Sequence, residues 1–226
     1  MAHGKRYTKR AALVDAKKTY APDAAIELIR KSSPARFDAS VEVHLRLGID
    51  PAKGDQQARG TVRLPHGTGK IRRVAAFVSA AREAEAREAG ADLVGGKELI
   101  ESIRTSEKLE FDVAVATPDI MKDLATIAKL LGPRGLMPSP KNGTVSPKIA
   151  DVIRDLKGGM VAFKNDDTSN LHQVIGKVSW DSAKLQENLT AFLEAARRAK
   201  PPSSKGVYLK AAYLTTTMGP SIRLQI

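Results

Sequence analysis

The residues best suited to chemistry stand near the C-terminus, in the run Tyr213-Leu214-Thr215-Thr216-Thr217-Met218-Gly219-Pro220. Aromatic and β-branched residues favour an extended strand. Three hydroxyls in succession then meet a flexible thioether, a residue without a side chain and an imide without an N–H. Nothing here breaks bonds. Thr217 can hydrogen-bond a flat partner, Met218 can pack on it, and Gly219 lets the backbone approach it. The competing reading is an ordinary strand with its threonines in water and a Gly-Pro turn.

A second cluster is Arg36-Phe37-Asp38-Ala39-Ser40-Val41-Glu42, which places a cation, a ring, a hydroxyl and a carboxylate at the start of a strand. If that strand neighbours the C-terminal one, Phe37, Ser40, Glu42, Thr217 and Met218 share one surface. Such a mixture suits A-form RNA, whose shallow minor groove exposes 2′-hydroxyls and base edges. Glu42 would accept from a base amino group or a 2′-hydroxyl, whereas a binder of phosphates alone would avoid a carboxylate there. The competing reading is a solvated strand face.

Enzymatic classes find little support. His66-Gly67-Thr68-Gly69-Lys70 lacks the spacing of a phosphate-binding loop, and Ile71 stands where the magnesium-binding hydroxyl belongs. No G-x-G-x-x-G follows the first apolar strand of the middle segment, so no Rossmann cofactor is expected. His3, His44, His66 and His172 are scattered, which argues against a metal. The chain has no cysteine, which removes disulfides and thiol catalysis. Asp166-Asp167 reads as a solvated turn. Cofactors and catalytic residues are therefore expected to be absent.

Charge points to a polyanion. The 226 residues carry 37 Lys and Arg against 25 Asp and Glu, a net charge of +12, which favours nucleic acid over an anionic membrane. No apolar run approaches the length of a membrane span, and the basic N-terminus lacks the apolar stretch of a secretory signal. A cytoplasmic protein is expected.

The elements that must position these residues follow from periodicity. Ala11 to Thr19 and Pro22 to Lys31 read as helices. Val41, Val43, Leu45 and Leu47 alternate with Glu42, His44 and Arg46, the signature of a strand with one apolar face. A second strand is expected over Arg59 to Leu64. After residue 66 the style changes. Apolar strands at Ile71 to Val78, Ala91 to Val94 and Phe111 to Ala116 alternate with helices at Ala80 to Ala89, Lys97 to Arg104, Asp119 to Leu131 and Lys148 to Lys157. That alternation signals a parallel sheet with helices on its faces. From Gly158 the alternating strands return at Met160 to Lys164 and Leu171 to Val178. They are followed by an amphipathic helix over Asp181 to Lys200 and a strand over Val207 to Thr217.

Residues 1–66 offer too little apolar surface to fold alone. The expected architecture is a discontinuous two-layer α+β domain, residues 1–66 and 158–226, interrupted by a Rossmann-like three-layer α/β domain, residues 67–157. Both joints are rich in Gly or Pro, so Pro65, Gly67, Gly69, Gly158 and Gly159 are expected to act as a hinge. The outer segments carry ten of the twelve net positive charges, so the polyanion site belongs to them.

One stretch goes beyond these classes: Leu131-Gly132-Pro133-Arg134-Gly135-Leu136-Met137-Pro138-Ser139-Pro140-Lys141-Asn142-Gly143-Thr144-Val145. Together with Ala116-Thr117-Pro118-Asp119, Phe163-Lys164-Asn165-Asp166, Ile175-Gly176-Lys177 and Thr216-Thr217-Met218-Gly219, it closely resembles the bacterial ribosomal proteins of the large-subunit side stalk, the "L one" family. The resemblance covers essentially the whole chain. It implies a non-enzymatic, monomeric ribosomal protein that binds the stalk helices of large-subunit ribosomal RNA. It also implies assistance to release of deacylated exit-site tRNA, and repression of the protein's own operon messenger. The RNA-contacting positions it implies are Arg36, Phe37, Ser40, Glu42, Thr168, His172, Thr217, Met218 and Gly219, to which Lys177 is added as a phosphate contact. Ser40 stands where the family often has Thr, and Asp167 where Lys is common. Two other classes compete: a nucleotide-dependent enzyme built on the middle domain, and a general RNA-binding protein or chaperone outside the ribosome.

Overall fold

The computed structural model describes residues 4–226 and divides into two compact units, residues 4–69 with 161–226, and residues 70–160. The unit boundaries lie three residues beyond the joints expected from the sequence. His3 falls outside the described residues.

The outer unit opens with a helix α1 (Lys5–Ala11), a helix α2 (Pro22–Ser32) and strands β1 (Ser40–Leu47) and β2 (Arg59–Arg63). Pro22 occupies the first turn of α2, where its missing N–H costs nothing. Ala25, Ile26 and Ile29 line one face of that helix and are fully buried. The helix expected over Ala11 to Thr19 is absent: α1 lies earlier and ends at Ala11. Asp15 explains the stop. Its carboxylate accepts the Lys17 N–H at 2.9 Å, a local turn that competes with helical hydrogen bonding.

The inserted unit is a parallel sheet of β3 (Val74–Phe77), β4 (Leu93–Gly95) and β5 (Val113–Ala116), in the order β4-β3-β5. Alternate residues of β3 feed opposite layers, so both faces are covered. Val74 and Ala76 pack with α3 (Glu83–Glu88) and a later helix at 149–157, while Ala75 and Phe77 pack with α4 (Lys97–Ser106). The strand expected from Ile71 is shorter, because Ile71 is 89% exposed and the sheet begins at Val74. The helix expected over Asp119 to Leu131 is broken into short pieces, among them α5 (Met121–Leu124) and α6 (Ala128–Leu131). Thr126 Oγ1 donates back to the Asp123 carbonyl at 2.7 Å, and Ile127 leaves helical dihedrals (φ −107°, ψ 11°). The proline-rich loop is strapped to the end of β5, with the Ala116 N–H donating to Thr144 O at 3.0 Å. Helix α7 (Ile149–Lys157) closes the unit.

The chain then returns through β6 (Met160–Lys164), β7 (Asn170–Lys177), α8 (Ser182–Arg198), β8 (Leu209–Thr216) and β9 (Ile222–Leu224). Strands β7-β1-β8-β9 form an antiparallel sheet, and β2 pairs with β6 in a second small one. Leu185, Leu189, Phe192 and Ala196 form the buried stripe of α8, against Val41, Val43 and Leu45 of β1 and Ile26 and Ile29 of α2. Helices and core thus occupy one side of the four-stranded sheet. Its other side keeps the half-buried and exposed residues of the alternation, as β1 shows with Ser40, Glu42, His44 and Arg46.

Candidate nucleic-acid interface

Strand pairing assembles this open face in rows. Ser40 of β1 lies opposite Lys177 of β7. On its other side, Thr217 follows directly after β8 and donates its N–H to Ser40 O at 3.0 Å. Side chains complete the row: Thr217 Oγ1 accepts the Ser40 N–H at 3.2 Å, and Lys177 Nζ donates to Ser40 Oγ at 3.0 Å. A bulge makes this alignment possible. Val41 pairs with Gly176 but Glu42 with Val174, so Ile175 and Gly176 both turn into the core and Lys177 returns to the open side.

The next row holds Glu42 opposite Thr215, and the third holds His44 between His172 and Tyr213. His172 is tied in turn to the loop between β6 and β7. Asp166 organises that loop, accepting the Asn170 N–H at 2.7 Å, the Thr168 N–H at 2.9 Å and the Thr168 hydroxyl at 2.7 Å. Its carboxylate also lies 3.3 Å from His172 Nε2. Burial alone would raise this carboxyl, but those hydrogen bonds outweigh it and hold Asp166 well below the usual carboxylate range. The pair read as a solvated turn is thus a structural carboxylate beside an exposed Asp167.

Beyond the Ser40 row stand the apolar members. Phe37 is 59% exposed and Met218 74% exposed, and the two line one open pocket together. Asp38, next to Phe37, is not available: its carboxylate accepts the Ser179 N–H and hydroxyl at 3.1 and 2.9 Å. Those bonds anchor the loop that presents Arg36 and Phe37.

The C-terminal run departs from the expected uniform strip. Strand β8 ends at Thr216, and a turn closed by the Gly219 N–H on Thr216 O (2.8 Å) folds the chain back into β9. Strand alternation sends Thr215 and Thr217 to the open face and Thr216 inward, where it is 2% exposed. Gly219 serves the turn itself. A Cβ there would overlap the Thr216 hydroxyl, so this glycine is required by the protein's own packing before any partner arrives. The residue in left-handed backbone is Met218, at φ 68°.

The ten expected contact residues therefore fall into two connected groups. Arg36, Phe37, Ser40, Lys177, Thr217, Met218 and Gly219 gather around the Ser40 row, and Thr168 and His172 gather around Asp166, with Glu42 between. Sequence reading missed His44, Tyr213 and Thr215. Strict alternation placed His44 and Glu42 on one face, but cross-strand register, which sequence does not display, was needed to bring His172 and Tyr213 beside them.

Of the expected hinge residues, Pro65 and Gly67 are held inside the outer unit. Asn188 of α8 accepts the His66 N–H at 3.1 Å and donates to Gly67 O at 2.9 Å. Gly69 has φ 76°, and a Cβ there would press on Lys177 and Trp180. On the return crossing, Gly159 has φ 100°.

Among the described residues no group of His, Asp and Glu is placed to hold a metal ion, and no helix is long and apolar enough to cross a membrane. The class these features define is a two-unit protein, a discontinuous α+β unit carrying an inserted α/β unit, with hydroxyls, a carboxylate and cations gathered on one sheet face. Comparison with known proteins makes this specific. The sequence model of the ribosomal protein L1p/L10e family matches residues 29–220, and the chain belongs to that family; it is a ribosomal protein and not an enzyme. It is 52% identical over 222 residues to the large ribosomal subunit protein uL1 of Salinispora arenicola, covering 98% of this chain and 93% of that one. The same protein of Saccharopolyspora erythraea is 53% identical over 218 residues (96% and 91%). That of Streptomyces griseus is 50% identical over 224 residues (99% and 93%).

Proposed function

We propose that this chain is a structural constituent of the large ribosomal subunit in the cytoplasm. In this reading it grips the stalk helices of large-subunit ribosomal RNA with the open face of its outer sheet. Arg36, Phe37, Ser40, Glu42, Thr168, His172, Lys177, Thr217, Met218 and Gly219 make the contacts. The observation that carries this reading is the row Lys177–Ser40–Thr217, with Phe37 and Met218 exposed beside it. It offers a cation, two hydroxyls and two apolar groups to a shallow, hydroxyl-lined groove, and A-form RNA presents one.

Two finer roles belong to the same proposal. Held on the stalk as a monomer, the chain assists release of deacylated tRNA from the exit site. Off the ribosome, the same face binds a matching structure in its own operon's messenger and represses translation. Pivoting between the units is assigned to the crossings at Gly69–Lys70 and Met160–Val161, flanked by Gly158 and Gly159, because His66 and Gly67, next to Pro65, are already tied to α8.

The test is a titration of the full chain against a stalk fragment and a random duplex at several salt concentrations. Preference for the stalk, with a log–log salt slope worth several phosphates, is expected. Equal affinity for both would replace this reading with that of a general RNA chaperone. Crosslinking in assembled ribosomes reads the tRNA contact, and a reporter fused to the operon leader reads repression.

A further inference from the structure

The contact residues assigned above leave a neighbouring feature unused. Beside Phe37 and Met218 lies an open pocket of about 680 Å³, whose remaining walls include Tyr7, Pro34, Arg6 and Arg36. A second pocket of about 370 Å³ adjoins it and is lined by Arg6, Lys9, Arg10 and Arg36. The two share Arg6, Pro34, Ala35 and Arg36, so one apolar cavity and one basic cavity meet along a common wall.

Helix α1 builds that wall, and it is not there to serve the core. None of its residues is buried, and its sequence Lys-Arg-Tyr-Thr-Lys-Arg-Ala holds no acid. Guanidinium bonds pin it at and just beyond the C-terminal end of α2, Arg10 Nη1 to Lys31 O at 2.8 Å and Arg6 Nη2 to Pro34 O at 3.0 Å. Cations are favoured at that negative end of a helix. The result still crowds Lys5, Arg6, Lys9, Arg10 and Arg36 into one small region, where like charges repel each other. Such a cluster around an apolar floor is explained by an anionic partner with flat apolar parts.

A nucleotide has both. The geometry points to a subsite for one unpaired nucleotide of the bound RNA. Its base would lie in the larger pocket among Tyr7, Phe37 and Met218, and its phosphate in the smaller pocket among Arg6, Lys9, Arg10 and Arg36. This rests on the RNA-binding reading and extends the interface from the sheet face onto α1. It follows the general rule that single-stranded bases are taken by aromatic platforms beside a cationic track. The thioether of Met218 adapts to any base face, so the subsite selects an unstacked base and not a particular one.

The experiment uses the full chain and a stalk RNA fragment in which unpaired nucleotides are made abasic one at a time. One abasic position should weaken binding of the parent protein by roughly five- to a hundredfold, the usual worth of a stacked base. Tyr7→Ala should lose a similar factor on intact RNA and lose little more on that abasic RNA, since base and ring are partners in one contact. Tyr7→Phe should bind like the parent. The salt slope should stay unchanged in Tyr7→Ala and fall by about one unit in Lys9→Ala. Melting curves confirm that each variant is folded. Losses that add independently at every position, or Tyr7→Ala binding intact RNA like the parent, overturn the subsite and leave the pocket to a protein partner. A parent that does not prefer the stalk fragment overturns the RNA reading instead.

Discussion

The Nδ1 atoms of His44 and His172 stand 2.7 Å apart across the β1–β7 register, with the two rings edge to face at 62°. Two imidazoles in that position share one proton between them. If His172 gives its Nε2–H to Asp166, its Nδ1 accepts from His44, and His44 Nε2 then faces Glu42 at 3.9 Å. Burial, and then the neighbouring His172, lower the affinity of His44 for a second proton, while Glu42 pulls the other way. The net shift is downward from 6.5.

Stability should therefore depend on pH in two separate windows. The unfolded chain protonates His44 near 6.5, before the folded protein does, so this contribution is complete above that pH and lost as pH falls through the lower folded value. Asp166 behaves likewise from 3.8 downward. Chemical denaturation of parent, His44→Asn and Asp166→Asn at pH 7.5, 5.5 and 3.5 separates the two. His44→Asn should flatten the upper window only. Asp166→Asn should make the lower one shallower without abolishing it, because hydrogen bonds from Lys157 and Arg73 also hold Asp92 and Asp112 below the usual carboxylate range. An unchanged slope between pH 7.5 and 5.5 in His44→Asn would remove the histidine pair from this account.

Thr217→Val should cost more than a lost RNA contact. The hydroxyl accepts the Ser40 N–H, so its removal leaves that donor unpaired and lowers stability by about 1 kcal/mol. Stalk RNA affinity should fall about tenfold with no change in salt slope, because no charge is lost. Lys177→Ala should instead reduce the slope by about one unit. The check is a set of RNA titrations at several salt concentrations, read beside thermal melts. Wild-type affinity in Thr217→Val would mean that the Ser40 row faces water only.

The open face was legible in the sequence only in part. Val41, Val43, Leu45 and Leu47 announced which side of β1 is buried, and the Leu185–Leu189–Phe192 stripe announced the helix that covers it. The Gly-rich joints expected at 66/67 and 157/158 lie three residues before the unit boundaries at 69/70 and 160/161. Tertiary facts were not legible. The run Thr215-Thr216-Thr217 reads as one hydroxyl strip until alternation and the turn send Thr216 inward. Likewise, the stretch from Ala11 to Thr19 passes for a helix until the Asp15 turn competes with it. The basic N-terminal residues read as a tail because α1 buries nothing. Its bonds to the Lys31 and Pro34 carbonyls reveal it as a wall.

Met218 should prove better for binding than for folding. A non-glycine residue at φ 68° carries backbone strain, and such strain gathers at functional positions. Met218→Gly relieves it, so the melting temperature should hold or rise by a few degrees. The exposed thioether is lost, so stalk RNA affinity should drop several-fold. Parallel melts and titrations decide this. A variant that loses stability and keeps affinity would show that Met218 serves the fold instead.

Gly219 and Thr216 should behave as one unit. A methyl group on Gly219 would overlap the Thr216 hydroxyl, and the turn has little freedom to yield, because the Gly219 N–H is bonded to Thr216 O. Gly219→Ala should therefore destabilise by about 1–3 kcal/mol, the usual range for overpacking. The Thr216 hydroxyl itself is buried without a hydrogen-bond partner in the protein, so Thr216→Ala removes an unsatisfied group and should cost little beyond a small cavity. The double variant should then recover most of what Gly219→Ala loses, a coupling that two independent sites would not show. Gly219→Ala should weaken RNA binding beyond its loss of stability, because Gly219 is itself one of the proposed contacts. Thr216→Ala should bind nearly like the parent, since Thr215, Thr217 and Met218 are untouched. A double-mutant cycle of denaturation midpoints measures the coupling. Purely additive losses would mean that the turn excludes a side chain at 219 for some reason other than Thr216.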